Sequence, residues 1–406
     1  MSANGDDTNQ RQPGRPSDAP GDAPGGGRTN AGQSGPDAER AAEKVSVPAE
    51  GWPRWTIYML ASLALGAVGG VIFNWLTMPL AWMIGAMVFS TVAALAGAPV
   101  RGSQRIRTIF VPVLGIMLGS SFTPETLGQV SSWVPSVISM LIFVVVVIAV
   151  VSFYLHKVMG FGPVSAYFSA TPGGLATMAV IGAEMGGDDR RIGLTQSIRI
   201  MLTVLIIPFY FRIFEGYEPG GLDSLGSVID LSLKDAAILL ACMLGYPLFK
   251  VVRLPSAQIL GPMILSAAVH VSGLTDAKPP VEFVNIAQLV IGTGIGARFA
   301  GVSVKRLYKV MVAGAGATLF MVGFAAAAAI VLESWTGLPF AAIWLAFAPG
   351  GVAEMTLISL ALGIDVAFVS THHLVRVVFM VVAAPVVFHI LQKKWGIKED
   401  PSTHGF

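Results

Sequence analysis

Apolar residues in this chain come in long unbroken runs, not in the alternation of strands or the one-sided stripe of a soluble helix. Runs at about 54–75, 79–98, 106–122, 133–156 and 191–212, and again at about 235–251, 255–273, 284–300, 308–332 and 366–391, are long enough, or nearly so, to cross a bilayer as helices. Two further apolar stretches, about 161–188 and 337–364, are interrupted by Pro172-Gly173-Gly174 and Pro349-Gly350-Gly351. Proline lacks the backbone donor a helix needs, and glycine weakens a helix, so neither stretch continues through its motif. Each is one broken span or a hairpin of two half-helices.

The pattern occurs twice. Pro349-Gly350-Gly351-Val352-Ala353-Glu354-Met355 repeats Pro172-Gly173-Gly174-Leu175-Ala176-Thr177-Met178 at a spacing of 177 residues. Gly115, Gly119, Asp188, Arg199 and Pro208 meet Gly292, Gly296, Asp365, Arg376 and Pro385 at the same spacing. Pro79, Gly85 and Met87 meet Pro255, Gly261 and Met263 at 176. A repeat of this length in an apolar chain predicts two membrane halves, 54–212 and 235–391, joined by a loop at 213–234.

Basic residues decide how the broken stretches sit. If these do not cross and the N-terminus is cytoplasmic, Arg54, Arg101, Arg105, Arg107, Lys157, Arg190, Arg191, Lys250, Arg253, Arg298, Lys305, Arg306, Lys309, Lys393, Lys394 and Lys398 fall inside. Only Arg212, Lys234 and Lys278 fall outside. If both stretches cross, Arg190, Arg191, Lys250, Arg253, Arg298, Lys305, Arg306 and Lys309 move outside, against the positive-inside rule. The expectation is an all-α polytopic protein of about ten spans: two five-helix repeats of opposite orientation, with hairpin tips meeting near the midplane.

Composition agrees: 54% of residues are hydrophobic and 12% charged, against about 25% charged in a soluble domain. Residues 1–50 differ, being rich in Gly, Pro, Asp and Ser, and read as a disordered cytoplasmic tail; 392–406 reads as a second one. No apolar signal region precedes Trp52. The net charge of +2, without a basic cluster interleaved with aromatics, gives no reason to expect nucleic acid as a partner.

The candidate chemistry gathers at the breaks. Breaking a helix at Pro-Gly-Gly frees donors that favour an anion, so Pro172, Gly173, Gly174, Thr177, Pro349, Gly350 and Gly351 are candidates for holding a substrate; the alternative is a packing kink. Glu354, with Thr177 as its counterpart, is an intramembrane carboxylate that would carry a proton or bind a cation, or else cap the half-helix. Arg199 and Arg376 lie inside the last span of each half, where a guanidinium must pair with an acid, a carbonyl or a bound anion, as a substrate clamp or an internal salt bridge. Asp188 and Asp365 suit helix caps, with Asp365 also a coupling candidate. His372 and His373 add titratable groups. No spacing of histidines suggests a metal site, and no motif of an ATPase, hydrolase or dinucleotide enzyme occurs.

At these motifs the chain resembles the bacterial membrane AbrB family. The carrying residues are Ala348 to Met355, Asp365 to Arg376, and the Pro79–Gly85 and Pro255–Gly261 segments. The first half departs from the motif, with Thr177 for the glutamate and Thr195-Gln196 for the histidine pair. The resemblance covers about 54–391 and implies an integral inner-membrane protein linked to regulation of gene expression, sometimes labelled an ammonia monooxygenase. The lead expectation is a secondary transporter of a small anionic solute coupled to H⁺ or Na⁺, with the lipid bilayer and that solute as partners and a homo-oligomer left open. A membrane sensor that alters transcription is the alternative. Enzyme activity, a cofactor and a bound metal are not expected.

Overall fold

The computed structural model describes residues 52–217, 225–252, 256–302 and 304–395. The expected tail 1–50, most of the expected tail 392–406, the middle of the 213–234 loop and Pro255 lie outside the described residues. Within them, all regular structure is helical, in the order α1 (Trp52–Trp75), α2 (Ala81–Leu95), α3 (Gln104–Gly119), α4 (Pro124–Gln129), α5 (Val134–Phe153), α6 (Pro163–Ala170), α7 (Leu175–Glu184), α8 (Asp189–Phe214), α9 (Leu233–Cys242), α10 (Gly245–Val251), α11 (Ala257–Val271), α12 (Val281–Gly296), α13 (Val304–Thr336), α14 (Phe340–Phe347), α15 (Val352–Ala361) and α16 (Val366–Trp395). Five helical segments, Arg54–Trp75, Pro124–Val158, Asp189–Phe214, Tyr308–Thr336 and Val366–Leu391, are long and apolar enough to cross a membrane. Several more apolar helices are shorter, among them Ala81–Leu95 and Ala257–Val271. One expected run, 235–251, is split into α9 and α10 at 243–244, where Gly245 presses against the backbone of Gly261.

Local chemistry sets the helix ends. Ser103, Asp188 and Ser232 accept a backbone N–H in the first turns of α3, α8 and α9. Leu80 and Ser256 precede α2 and α11 with φ of 51° and 53°, a left-handed conformation uncommon for residues with a side chain. The same unusual entry at corresponding places is the repeat written into backbone geometry.

Glycines set the packing of α1–α3 and α10–α12. Gly69 of α1 meets Gly85 of α2 with no room for a methyl group on either, and Gly245 meets Gly261 in the same way. Across the halves, Gly115 and Gly119 of α3 lie on Ile259 and Met263 of α11, while Gly292 and Gly296 of α12 lie on Met83 and Ser90 of α2. Both cross-pairs run parallel, because rising residue numbers on one helix meet rising numbers on the other. Gln258 and Ser266 tie α11 to α3 by hydrogen bonds to Thr108 Oγ1 (3.0 Å) and Ile116 O (2.7 Å).

The two Pro-Gly-Gly stretches are each split in two. In the first, Val164 faces Gly187 and Phe168 faces Gly182, so α6 and α7 run antiparallel as a hairpin. The backbone N–H of Asp188 closes it by donating to Ser165 Oγ (2.9 Å). In the second, α14 and α15 also pack on one another. Both stretches are buried in one large core with α8 and α16, including Phe168, Met178, Ile207, Trp344, Phe347 and Phe388.

Candidate functional site

Proline explains the first feature of each break. In a continuing helix the carbonyls of Phe168 and Leu345 would accept from the residues four ahead, which are Pro172 and Pro349 and have no N–H. Side chains from the last long helix of each half replace the missing donors. Gln196 Nε2 of α8 donates to Phe168 O (2.7 Å), and His373 Nε2 of α16 donates to Leu345 O (2.9 Å). Gln196 and His373 occupy equivalent positions, so one structural task is done by two residue types.

The arginines extend this pattern. Arg199 Nη1 donates to Thr171 O (3.4 Å), the carbonyl that ends α6. Arg376 Nη1 donates to the equivalent Ala348 O (2.6 Å), and its Nη2 to Gly350 O (2.6 Å). Arg376 Nη2 also donates to His373 Nδ1 (2.7 Å). His373 is thus a donor at Nε2 and an acceptor at Nδ1, the hydrogen-bonding roles of one neutral tautomer. Neither arginine forms an ion pair with a carboxylate among the described residues, where Arg191 pairs with Asp188. Both are buried, and the Nε of each has no hydrogen-bond partner. They lie within electrostatic reach of each other.

The breaks are brought together by exchange between halves. Gly173 packs on Met380 of α16, Tyr167 donates to Ala384 O (3.0 Å), and α15 touches α8. Their glycines serve different ends. Gly174 has φ +93°, a backbone that residues with Cβ rarely adopt, whereas Gly351 is at φ −80° and is small because the Glu354 carboxylate folds over it. Gly350 is crowded by Met355 in turn.

Glu354 is buried in the first turn of α15 and takes no hydrogen bond from the described residues; Arg298 lies within electrostatic reach. Thr177, its counterpart, is half-buried. His372 is fully buried with Nδ1 2.8 Å from Phe368 O and Nε2 2.8 Å from Ser136 Oγ of α5. Its counterpart Thr195 is buried with its hydroxyl unpartnered. Asp365 and Asp188 stand apart from this cluster: each accepts a backbone N–H at the start of the following helix, from Phe368 and Arg191, and Asp365 is exposed. The structure therefore gathers Arg199, Arg376, Glu354, His373 and both glycine pairs around the breaks. Sequence reasoning gave no role to Gln196 or Ser136. The missing N–H of Pro172 was the signal for Gln196; nothing in the sequence marks Ser136, whose partner comes from 236 positions away.

The chain is 25% identical over 366 residues to the Bacillus subtilis (strain 168) protein YhjN, described as uncharacterized, covering 83% of this chain and 94% of that protein. It is 20% identical over 343 residues to an Escherichia coli (strain K12) protein described as a candidate regulator and named AbrB, covering 82% and 95% respectively. The family profile described as "Transition state regulatory protein AbrB" matches residues 82–392, which include both breaks, both arginines and the histidine pair. The chain belongs to the AbrB family.

Proposed function

We propose that this AbrB-family chain is a secondary transporter of a small anionic solute, coupled to H⁺ or Na⁺, with its binding site between the two Pro-Gly-Gly breaks. One observation carries the reading: Arg199 and Arg376 are buried within electrostatic reach of each other, and neither pairs with a carboxylate among the described residues. Two uncompensated guanidinium groups in an apolar interior favour an anionic ligand, and the unpartnered Nε of each supplies a donor for one.

The architecture we assign is ten spans in two inverted repeats, in the inner membrane with both termini cytoplasmic. The parallel pairing of α3 with α11 and of α2 with α12 supports it. Gly102, in the turn between α2 and α3, touches Gly294 and Ala297 near the end of α12, so α3 starts where α2 and α12 finish. A helix that turns back there runs against α2, and α11, parallel to it, runs against its own counterpart α2. Charge supports the same reading. Arg107 and Arg298 are within electrostatic reach and Arg190 and Arg298 line one cavity, although a model in which both broken stretches cross would put Arg107 opposite the other two. Large apolar side chains such as Ile57, Ile142 and Ile330 are exposed on the long helices, as a lipid-facing surface requires.

In this reading the guanidiniums and hairpin backbones hold the anion. Glu354 and His372 handle the coupling ion. His373 is committed as a strut, because a proton on Nδ1 would face the Arg376 N–H that it now accepts. His372 carries no such conflict. When neutral it accepts from the Ser136 hydroxyl; when charged it donates to that oxygen, whose hydrogen turns to Trp133 O at 2.8 Å.

Uptake of radiolabelled small carboxylates and inorganic phosphate into proteoliposomes tests the function. Substrate-dependent flux should vanish in a Glu354→Gln, Arg376→Gln double variant; flux at wild-type rate would sink the assigned roles. Topology is tested by labelling cysteines at 188 and 365 in a Cys242→Ala background, where labelling of both from one side refutes inversion. A second reading, a membrane sensor acting on transcription, is favoured by the description of the E. coli relative. It requires that removing residues 1–50 or 392–406 abolish a transcriptional response while leaving flux intact.

A further inference from the structure

Outside the breaks, a cavity of about 250 Å³ lies between the start of α8 and the segment following α12, lined by Arg190, Gly193, Leu194, Ser197, Arg298 and Ala300 among others. Two of its walls are guanidinium-bearing and the rest are mainly apolar or backbone. Arg298 is half-buried and has neither a hydrogen bond nor an ion pair among the described residues. Arg107 at the start of α3 lies within electrostatic reach of Arg298, so a third positive charge adds to the local field. Glu354, in the first turn after the second break, is a negative group within electrostatic reach of Arg298. Ser197 is buried with its hydroxyl donating to Gly193 O.

We infer that this cavity is a second anion site, a vestibule that takes a small oxyanion, carboxylate or phosphate, between Arg190 and Arg298. The guanidinium fork presents parallel N–H donors to two oxygens of one anion, and Leu194, Ala300 and Val302 form apolar walls beside it. Its position gives it a use. Ser197 in its wall and Arg199 at the break are two residues apart on α8, close along the axis but on opposite faces, so the helix itself stands between the cavity and the break. An anion held in the vestibule would sit on Arg298, which lies within electrostatic reach of Glu354. In the transport reading it would be concentrated there before entering, and its charge on Arg298 would weaken the attraction between Arg298 and Glu354. Occupancy of the vestibule does not depend on transport, whereas its role as an entry station rests on the transport reading.

Equilibrium binding separates the two. The full chain in phosphatidylcholine nanodiscs is titrated with inorganic phosphate and with acetate by calorimetry at low ionic strength. Arg298→Gln and Arg190→Gln should each weaken binding by about tenfold or more, Arg298→Lys should weaken it less, and added salt should weaken the wild type. Arg376→Gln should leave this component of binding in place. A parallel series in nanodiscs containing phosphatidylglycerol distinguishes the source of the oxyanion: thermal stabilisation by that lipid, lost in Arg298→Gln, identifies a headgroup as occupant of the same site. Unchanged affinity in both vestibule variants, loss in Arg376→Gln alone, or no binding in either series overturns the inference. Arg190 is exposed, so its variant reports even if Arg298→Gln fails to fold. Absence of flux in proteoliposomes with vestibule binding intact would remove the transport reading and leave the site.

Discussion

The first and second breaks share a frame and differ in chemistry. In both, a proline strips a carbonyl of its helical partner, the last long helix of the half returns a side-chain donor to it, and an arginine one turn further on holds the end of the half-helix. The first is loosely held, by one long bond from Arg199 and a glycine whose positive φ makes the turn. The second is tightly held by two short bonds from Arg376, which also braces His373, and its small glycine makes room for a carboxylate. Duplication thus preserved what the backbone requires, and the titratable groups Glu354, His372 and His373 collect in one copy. Function need not follow the symmetry of the scaffold.

The largest expected difference is between the arginines. Arg376→Ala leaves two buried carbonyls and a histidine nitrogen without donors, at a cost of about 3 kcal/mol or more in unfolding free energy; Arg199→Ala removes one long bond and should cost at most about 1–2 kcal/mol. Unfolding of the purified protein in detergent measures both, and equal losses would break the comparison. Next come the glycines. Gly351→Ala collides with the Glu354 carboxylate and should cost about 1–3 kcal/mol, with about 1–2 kcal/mol recovered when Glu354→Ala is added. Gly174→Ala should cost about 1–2 kcal/mol from its left-handed backbone, with no recovery on changing Thr177, because that cost is in φ. Independent effects of Gly351 and Glu354 would remove the contrast.

Smaller still is the exchange of the replacement donors. His373→Gln imports the first half's solution and should stay within about 1 kcal/mol of wild type, while His373→Ala should lose about 1–3 kcal/mol. If Gln is as damaging as Ala, the equivalence of the two breaks fails. The smallest effect lies outside the core. Glu282 at the start of α12 accepts from Ser227 Oγ (2.6 Å), which holds its carboxyl below the ordinary carboxylate range. A depressed value stabilises the fold above the ordinary carboxylate pH and the benefit is lost as pH falls through the depressed value. Ser227→Ala should flatten that acid-side dependence of the unfolding midpoint, whereas α3, with Arg105 at the corresponding place, has no carboxyl there to titrate.

Much of the fold was legible because it is written in long-period features. Each of the ten apolar runs contains helix, and both Pro-Gly-Gly stretches are broken where proline and glycine dictate. Asp188 and Asp365 cap the helices that follow them, as a short acidic side chain at such a boundary should. The site was less legible. An arginine in a span was expected to meet an acid, a carbonyl or a bound anion, and it met carbonyls; which of these it reaches depends on how a distant helix lies. The separation of His373, bonded to Leu345 and Arg376, from His372, bonded to Phe368 and Ser136, also escaped a reading by residue type, since it rests on what distant segments present to each ring.

By itself, then, the sequence determined the helices, their interruptions and their duplication, because hydrophobic length, missing N–H groups and repeated glycines act on the chain within a few residues. Tertiary structure alone decided that α3 lies along α11, that two buried guanidiniums come within electrostatic reach of each other, and that Ser136 reaches His372. Those outcomes are relations between segments more than a hundred positions apart, fixed by which glycine-lined surfaces can approach and which buried donors must find an acceptor.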